Sequence, residues 1–377
     1  MAPAARAEEW NMRLRVGLVG LGEVAQLMHI PTLHKLREQF ELAAVHDVSP
    51  SVLQEVADHW QVAKRYDTAT ALLADPAIDA VLILSPDQHH GEQARAAIAA
   101  GKHVFIEKPA CLTASDLDEL VAAEAASDRV VMIGYMRRFA PAFMAAKQEL
   151  QNFEAISYVR VRDVICEGPW FFNQTDKVVT PKGDIPADLI DQSRALRKAM
   201  MDAMCGPDSP AIIRRGYEVM TGLCSHSLSA MRDLLGGSPT RVIGAQLSQN
   251  GEQLTAMFDY GSFTAIYECL IDDIARFDAG IEVFSKNKRL HFRYNTPYLR
   301  NLPMTLEVQE STADSNLVRT LGPFHKDAFQ IELEAFHACV ASGAPNRTPP
   351  SDSKRDIELF SKILASARSN LAETSSR

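Results

Sequence analysis

The chain has 377 residues, 46% of them hydrophobic and 23% charged, and its 39 Lys plus Arg against 48 Asp plus Glu give a formal charge of −9. This is the balance of a globular protein roughly two domains long, and it excludes a disordered, collagenous or coiled-coil chain. The acidic balance without a basic run argues against nucleic acid as a partner, and no apolar stretch reaches the ~18–20 residues of a membrane span.

The first twelve residues, MAPAARAEEWNM, carry acids and no hydrophobic signal core, and read as a loose leader. A strand is expected at 14–20, a helix at 23–37, a strand at 41–47, a helix at 50–59 and a strand at 80–86. Then follow a helix at 90–100, a strand at 102–109, a helix at 113–127 and a strand at 129–135. Strands this apolar, alternating with helices, predict a parallel sheet covered on both faces. The pattern changes near residue 137. A helix is expected at 139–150, a strand at 156–163, an irregular stretch at 167–186 and a helix at 187–204. The stripe Met220, Leu223, Cys224, Met231, Leu234 and Leu235 predicts a further helix, stopped by Gly236-Gly237. Five antiparallel strands are expected between 241 and 293, with hairpin signals at Asn250-Gly251 and Tyr260-Gly261. Helices near 326–341 and 352–370 close the chain, with ETSSR as a frayed tail. The predicted fold class is α/β. A Rossmann-type doubly wound parallel sheet over 13–137 precedes an α+β domain over 138–372, built on a large, mainly antiparallel, open-faced sheet.

Cys111, Cys166, Cys205, Cys224, Cys269 and Cys339 form no Cys-x-x-Cys pair and no zinc-ligand spacing. No metal site is expected, and buried reduced thiols suit a cytoplasmic protein. Gly20-Leu21-Gly22-Glu23-Val24-Ala25 fits G-x-G-x-x-A between an expected strand and an expected helix, the context a dinucleotide fingerprint requires. Gly20 permits the tight turn, Gly22 keeps a side chain out of the path of the pyrophosphate, and Ala25 lets helix and strand pack closely. The helix start, with Glu23 and Val24, offers unpaired N–H groups to phosphate. Asp47 ends the second strand, where a carboxylate accepts hydrogen bonds from ribose hydroxyls and repels the extra phosphate of NADP. No arginine stands beside it, so NAD is expected over NADP.

Ser85-Pro86-Asp87-Gln88-His89-His90, Ala100-Gly101-Lys102-His103-Val104 and Glu107-Lys108-Pro109 resemble segments of the glucose–fructose oxidoreductase / inositol dehydrogenase (Gfo/Idh/MocA) family. Gly134-Tyr135-Met136-Arg137-Arg138-Phe139-x-Pro141 resembles the segment that ends that family's cofactor domain. The resemblance implies that Ser85, Pro86 and His90 lie near the cofactor's ribose and pyrophosphate, with Glu107 and Lys108 beside the nicotinamide. It also implies a Lys108–Pro109 peptide that is cis, as is common in relatives. Lys108 is then the residue expected to touch substrate, where an ammonium lowers a hydroxyl's pKa or polarises a carbonyl. Relatives carry Asp-x-x-x-His in the second domain. Here the stretch is Gly222-Leu223-Cys224-Ser225-His226, which keeps the histidine as expected proton carrier and replaces the aspartate with glycine. Glu218, Asp163, Asp272 and Asp273 are the candidates for a substitute carboxylate. Trp170, Phe171 and Phe172 either cover the site or anchor their segment, and Arg160 and Arg162 share one strand face. Asp272-Asp273 with Asp278 does not suit a metal.

The family resemblance implies an NAD(P)-dependent oxidoreductase moving hydride between nicotinamide and a secondary alcohol or ketone of a sugar, cyclitol or related polyol. The glycine at 222 keeps open a dinucleotide-binding regulatory protein without turnover. A glycosidase-like enzyme using NAD for transient oxidation is a third possibility. The sheet face left bare by the second domain's helices is expected to be apolar and to pair copies into a homodimer or homotetramer.

Overall fold

The computed structural model describes residues 12–375, so the leader reading of residues 1–11 lies outside the described residues. The chain forms two compact units. The first combines the chain up to Gly134 with Asp176–Met204 and Phe329–Lys354, and the second combines Tyr135–Thr175, Cys205–Ala328 and the chain from Arg355 onward.

In the first unit six strands form one parallel sheet: β1 (Leu14–Val19), β2 (Phe40–His46), β3 (Lys64–Tyr66), β4 (Ala80–Ile83), β5 (His103–Glu107) and β6 (Val131–Gly134). Their order is β3-β2-β1-β4-β5-β6, so the sheet is doubly wound and its direction of growth reverses between β1 and β4. Burial explains the composition, since every residue of β4 and of β6 is buried, as strands covered on both faces require. Strand β3 and the helix Ala69–Ala74 were not expected, because KRY is short and polar. Late segments return to this unit and complete its core. The ring of Phe329 meets His29 edge-on at 5.5 Å, Phe336 meets Phe105 at 5.8 Å, and His337 meets Phe40 at 5.5 Å. Ile133 donates its backbone N–H to Thr348 at 2.9 Å.

The second unit is built on eight strands: β7 (Tyr158–Cys166), β8 (Arg241–Ser248), β9 (Gln253–Asp259), β10 (Thr264–Asp272), β11 (Phe277–Phe284), β12 (Lys288–Tyr294), β13 (Met304–Ser311) and β14 (Asn316–Phe324). The order is β14-β13-β12-β11-β7-β10-β9-β8, antiparallel except for β7 beside β10. The hairpin signals are met, with Asn250 at φ 56° and Gly251 at φ 96° between β8 and β9. Helices Pro141–Leu150, Ala211–Val219 and Ser225–Leu234 cover one face of the sheet. Beneath them Arg137 and the wholly buried Asp163 form an ion pair at 2.5 Å, Tyr267 donates to the same carboxylate at 2.8 Å, and Arg137 also donates to Ser227.

The opposite face differs from the expectation of an apolar surface. Period-two alternation turns charged residues outward along its central strands. Arg160 and Arg162 both reach Glu268, at 3.0 and 3.1 Å, and Arg162 also reaches Asp278 at 2.7 Å. Arg289 joins Glu282 at 2.5 Å and Glu307 at 3.1 Å. Exposed apolar residues on strands β8 and β9 include Ile243 and Met257. Among the described residues no helix is long and apolar enough to cross a membrane.

Candidate dinucleotide site

The site in the first unit starts where β1 stops. Gly20 lies at φ 94°, and a Cβ there would come within 2.6 Å of the Ser85 backbone nitrogen and 2.8 Å of Leu84 backbone atoms. Only glycine lets the turn pass this close to the end of β4. Gly22 is the opposite case, exposed and with no heavy atom within 4 Å of a Cβ built on it. Glu23 and Val24 follow, half-buried, and lead through the wholly buried Ala25 into a π-helical turn, Ala25–His29, and the helix Ile30–Lys35.

Asp47 follows β2 and faces the same turn. Its carboxylate accepts from the Leu21 N–H at 2.8 Å and from the Ser49 N–H at 2.8 Å. Ser49, not Asp47, caps the helix Pro50–His59, by accepting from the Val52 N–H. Gly20, Asp47, Ser85 and Pro86 line one cavity of about 360 Å³, at the carboxyl ends of β1, β2 and β4. That volume lies within the ~300–1,000 Å³ of small-molecule sites, and the place is the crevice where open α/β sheets bind ligands.

The other expected residues fall nearby in the same unit. Ser85 donates its hydroxyl to Gln93 at 2.6 Å. His90 is buried, and its ring nitrogens lie 2.8 Å from the Pro109 carbonyl and 2.7 Å from the Ser85 carbonyl. It therefore braces the Ser85-Pro86 turn against the turn after β5. The Lys108–Pro109 peptide is cis, as the resemblance implies. Glu107 is buried at the end of β5 and accepts from the Lys108 N–H at 3.1 Å, while Lys108 is half-buried.

Two features escaped sequence reasoning. His29, wholly buried, places Nε2 2.7 Å from the Glu107 carboxylate, yet in the sequence it stands unmarked among apolar helical positions. The second is the segment 176–204, which folds onto the cavity of its own unit. Ile185, Leu189, Ile190, Arg194 and Arg197 line that cavity beside Asp47. Asp184 accepts from the Ser49 hydroxyl at 2.8 Å and from the Ser51 N–H at 2.6 Å, and the latter bond holds its carboxyl well below the usual range. Ser193 bonds Gln88 at 2.8 Å and His89 at 2.9 Å, and burial lowers the pKa of His89, partly offset by Glu92 and Asp87.

In the second unit His226 is half-buried in the first turn of Ser225–Leu234. Gly222 lies in the preceding π-helical turn, Met220–Cys224, with open space where a Cβ would be. Most of the candidate substitute carboxylates already serve cations: Asp163 serves Arg137, Asp272 pairs Arg276 at 2.6 Å, and Glu218 pairs Arg215 at 3.5 Å. Trp170 is half exposed, whereas Phe171 and Phe172 are buried anchors. Among the described residues no group of three or more His, Cys, Asp or Glu is arranged to hold a metal ion.

A parallel sheet of this order, with a glycine turn and a carboxylate at its switch point, defines a dinucleotide-binding α/β protein. Residues 14–135 match the model of the Gfo/Idh/MocA oxidoreductase family, NAD-binding Rossmann fold. Its cofactor is a nicotinamide dinucleotide, and the open space beside Gly22 fits one. An inositol 2-dehydrogenase from Acidothermus cellulolyticus is 39% identical over 140 residues, which span 37% of this chain and 41% of that relative. An inositol 2-dehydrogenase from Paracoccus denitrificans is 37% identical over 139 residues, 36% of this chain and 41% of its own length. The match to these curated relatives thus spans about two-fifths of their length. The fold extends further. The structure of a myo-inositol 2-dehydrogenase from Lactobacillus plantarum covers 95% of this chain and 98% of its own, with a TM-score of 0.70 at 18% identity.

Proposed function

We propose that this chain is an NAD-dependent dehydrogenase or reductase that moves hydride between nicotinamide and a secondary alcohol or ketone of a sugar, cyclitol or related polyol. The observation that carries the reading is the cavity at the switch point, where Gly20, Asp47, Ser85 and Pro86 meet, in a segment whose relatives are inositol 2-dehydrogenases. In this reading residues 13–137, covered by the segment 176–204 of the same unit, hold the dinucleotide, and the rest of 138–372 holds substrate and joins copies into a homodimer or homotetramer. Asp47 supports NAD over NADP, because its carboxylate repels a 2′-phosphate and Val48-Ser49 follows it without a cation. Arg197, in the same cavity, is engaged by Asp87.

NAD supplies the hydride acceptor when bound. Gly22, Glu23 and Val24 present backbone N–H groups to the pyrophosphate, and Ser85, Pro86 and His90 shape the ribose side. Glu107, steadied by His29, sets the position of Lys108. The Lys108 ammonium donates to the substrate oxygen, lowering a hydroxyl's pKa or polarising a carbonyl. His226, or a water it holds, takes the hydroxyl proton.

The test is a polyol panel with NAD, followed at the NADH absorbance band, with Lys108→Ala beside the parent. Turnover on a polyol that the substitution abolishes, with dinucleotide affinity kept, is the expected result, and tighter binding of NADP than of NAD would sink the role of Asp47. Gly222, in place of the family's aspartate, favours one second reading, a dinucleotide-binding regulatory protein. Tight NAD binding with no turnover on any polyol is its signature.

A further inference from the structure

Val48 and Leu189 are large apolar side chains left 47% and 38% exposed, and both face the cavity that holds Asp47. Apolar side chains open to one cavity are matched by a flat apolar ligand surface. The position of Asp47 says which surface. If its carboxylate holds the adenosine ribose, the base bonded to that ribose lies one bond further out, next to Val48. We propose that the segment 176–204 supplies the second wall of the adenine site, with Leu189 and Ile190 closing over the base opposite Val48. The inference rests on the dinucleotide reading above and deepens it.

The segment is fastened at both ends of the cavity. At its start Gln26 exchanges two hydrogen bonds with the Val179 backbone, each of 2.8 Å, and Asp184 grips Ser49 and Ser51. Along the helix Ala187–Cys205, Ser193 bonds Gln88 and His89, and Arg197 pairs with Asp87. Apart from Gln26, which lies in the helical turn after the glycine turn, these partners sit on the two loops that carry Asp47 and Ser85-Pro86. The wall is thus tied to the loops that shape the site, and adenosine leaves only when those ties yield. Asp184 is the tie that meets two groups beside Asp47, so its loss should speed release more than it slows entry.

The test is calorimetric titration of the full chain with NAD and, separately, with AMP, which carries the adenosine end alone. Leu189→Ala should weaken both about tenfold, the scale of the apolar area removed. Leu189→Met, which keeps that area, should restore parental affinity. Asp184→Ala should raise the NAD dissociation rate about fivefold or more in stopped flow, with the association rate little changed. Parental affinity for NAD and AMP in Leu189→Ala would overturn the inference while leaving the dinucleotide reading intact, as would equal weakening in Leu189→Met. A parent chain that takes up neither NAD nor AMP would overturn the dinucleotide reading, and this inference with it.

Discussion

Gly22→Ala and Gly20→Ala should fail in different ways, because the two glycines serve different ends. At Gly22 the backbone lies outside the left-handed region and a Cβ meets nothing within 4 Å. The substitution should therefore change stability by at most ~0.5 kcal/mol, about 1–2 °C in Tm. Its methyl group nonetheless projects into the space beside the turn and holds a pyrophosphate away from the N–H donors. Each charge-assisted hydrogen bond lost is worth roughly 1.5–3 kcal/mol, so two would weaken NAD binding by about 10²–10⁴-fold. At Gly20 the sign moves to stability. A residue with a side chain at φ 94° costs ~1–2 kcal/mol, and contacts of 2.6–2.8 Å with backbone atoms of Leu84 and Ser85 add roughly 1–3 kcal/mol, since backbone cannot rotate away. At about 2–4 °C per kcal/mol, Gly20→Ala should lower Tm by roughly 4–20 °C. Thermal melts and NAD titrations on the two variants decide the matter. Parental NAD affinity in Gly22→Ala, or a Tm loss there as large as in Gly20→Ala, would refute the reasoning.

Asp163→Ala strips the partner from Arg137, only 3% exposed at its side chain, and should cost about 3–5 kcal/mol in urea unfolding. Burial raises the Glu124 carboxyl from 4.5 to about 7, so its contribution to stability is full below pH 4.5 and is lost as pH rises through 7. Glu124→Gln should flatten that part of the melting-temperature profile, and an unaltered profile would show that Glu124 is not the cause. Gly222→Asp fits the open space at that position and restores the carboxylate four residues before His226. If His226 is the base, the acidic limb of the pH–rate profile should move up by about one unit. A profile that stays in place would remove His226 from the role.

The parts of this molecule that local patterns dictate were legible. Apolar runs ending at Gly20, Asp47 and Ser85 located β1, β2 and β4, and the order of the fingerprint residues located the turn between them. Short polar elements were not legible: KRY carries no burial pattern, and β14 is exposed along almost its whole length, so alternation does not mark it. The wall over the cavity depends on pairings such as Asp184 with Ser49, 135 residues apart, and on Ser193 with His89, 104 apart. No periodicity announces them. His29 was hidden for another reason, since an imidazole in an apolar helical stripe declares itself only when its acceptor, Glu107, is brought beside it. The outer face of the second sheet is charged where an apolar one is expected, because a face left open by helices can be satisfied by ion pairs across strands, and the alternation Arg160, Arg162 already carries that signal.

The first unit draws its last piece, Phe329–Lys354, from about 200 residues beyond β6. During synthesis at ~5–20 residues per second, the ribosome needs roughly 10–40 s to deliver it. For that interval Phe40 and Phe105 lack the rings of His337 and Phe336. The nascent chain therefore has a waiting period in which its earliest sheet is made but not sealed, and a message truncated after residue 137 would yield a sticky fragment instead of a portable cofactor module.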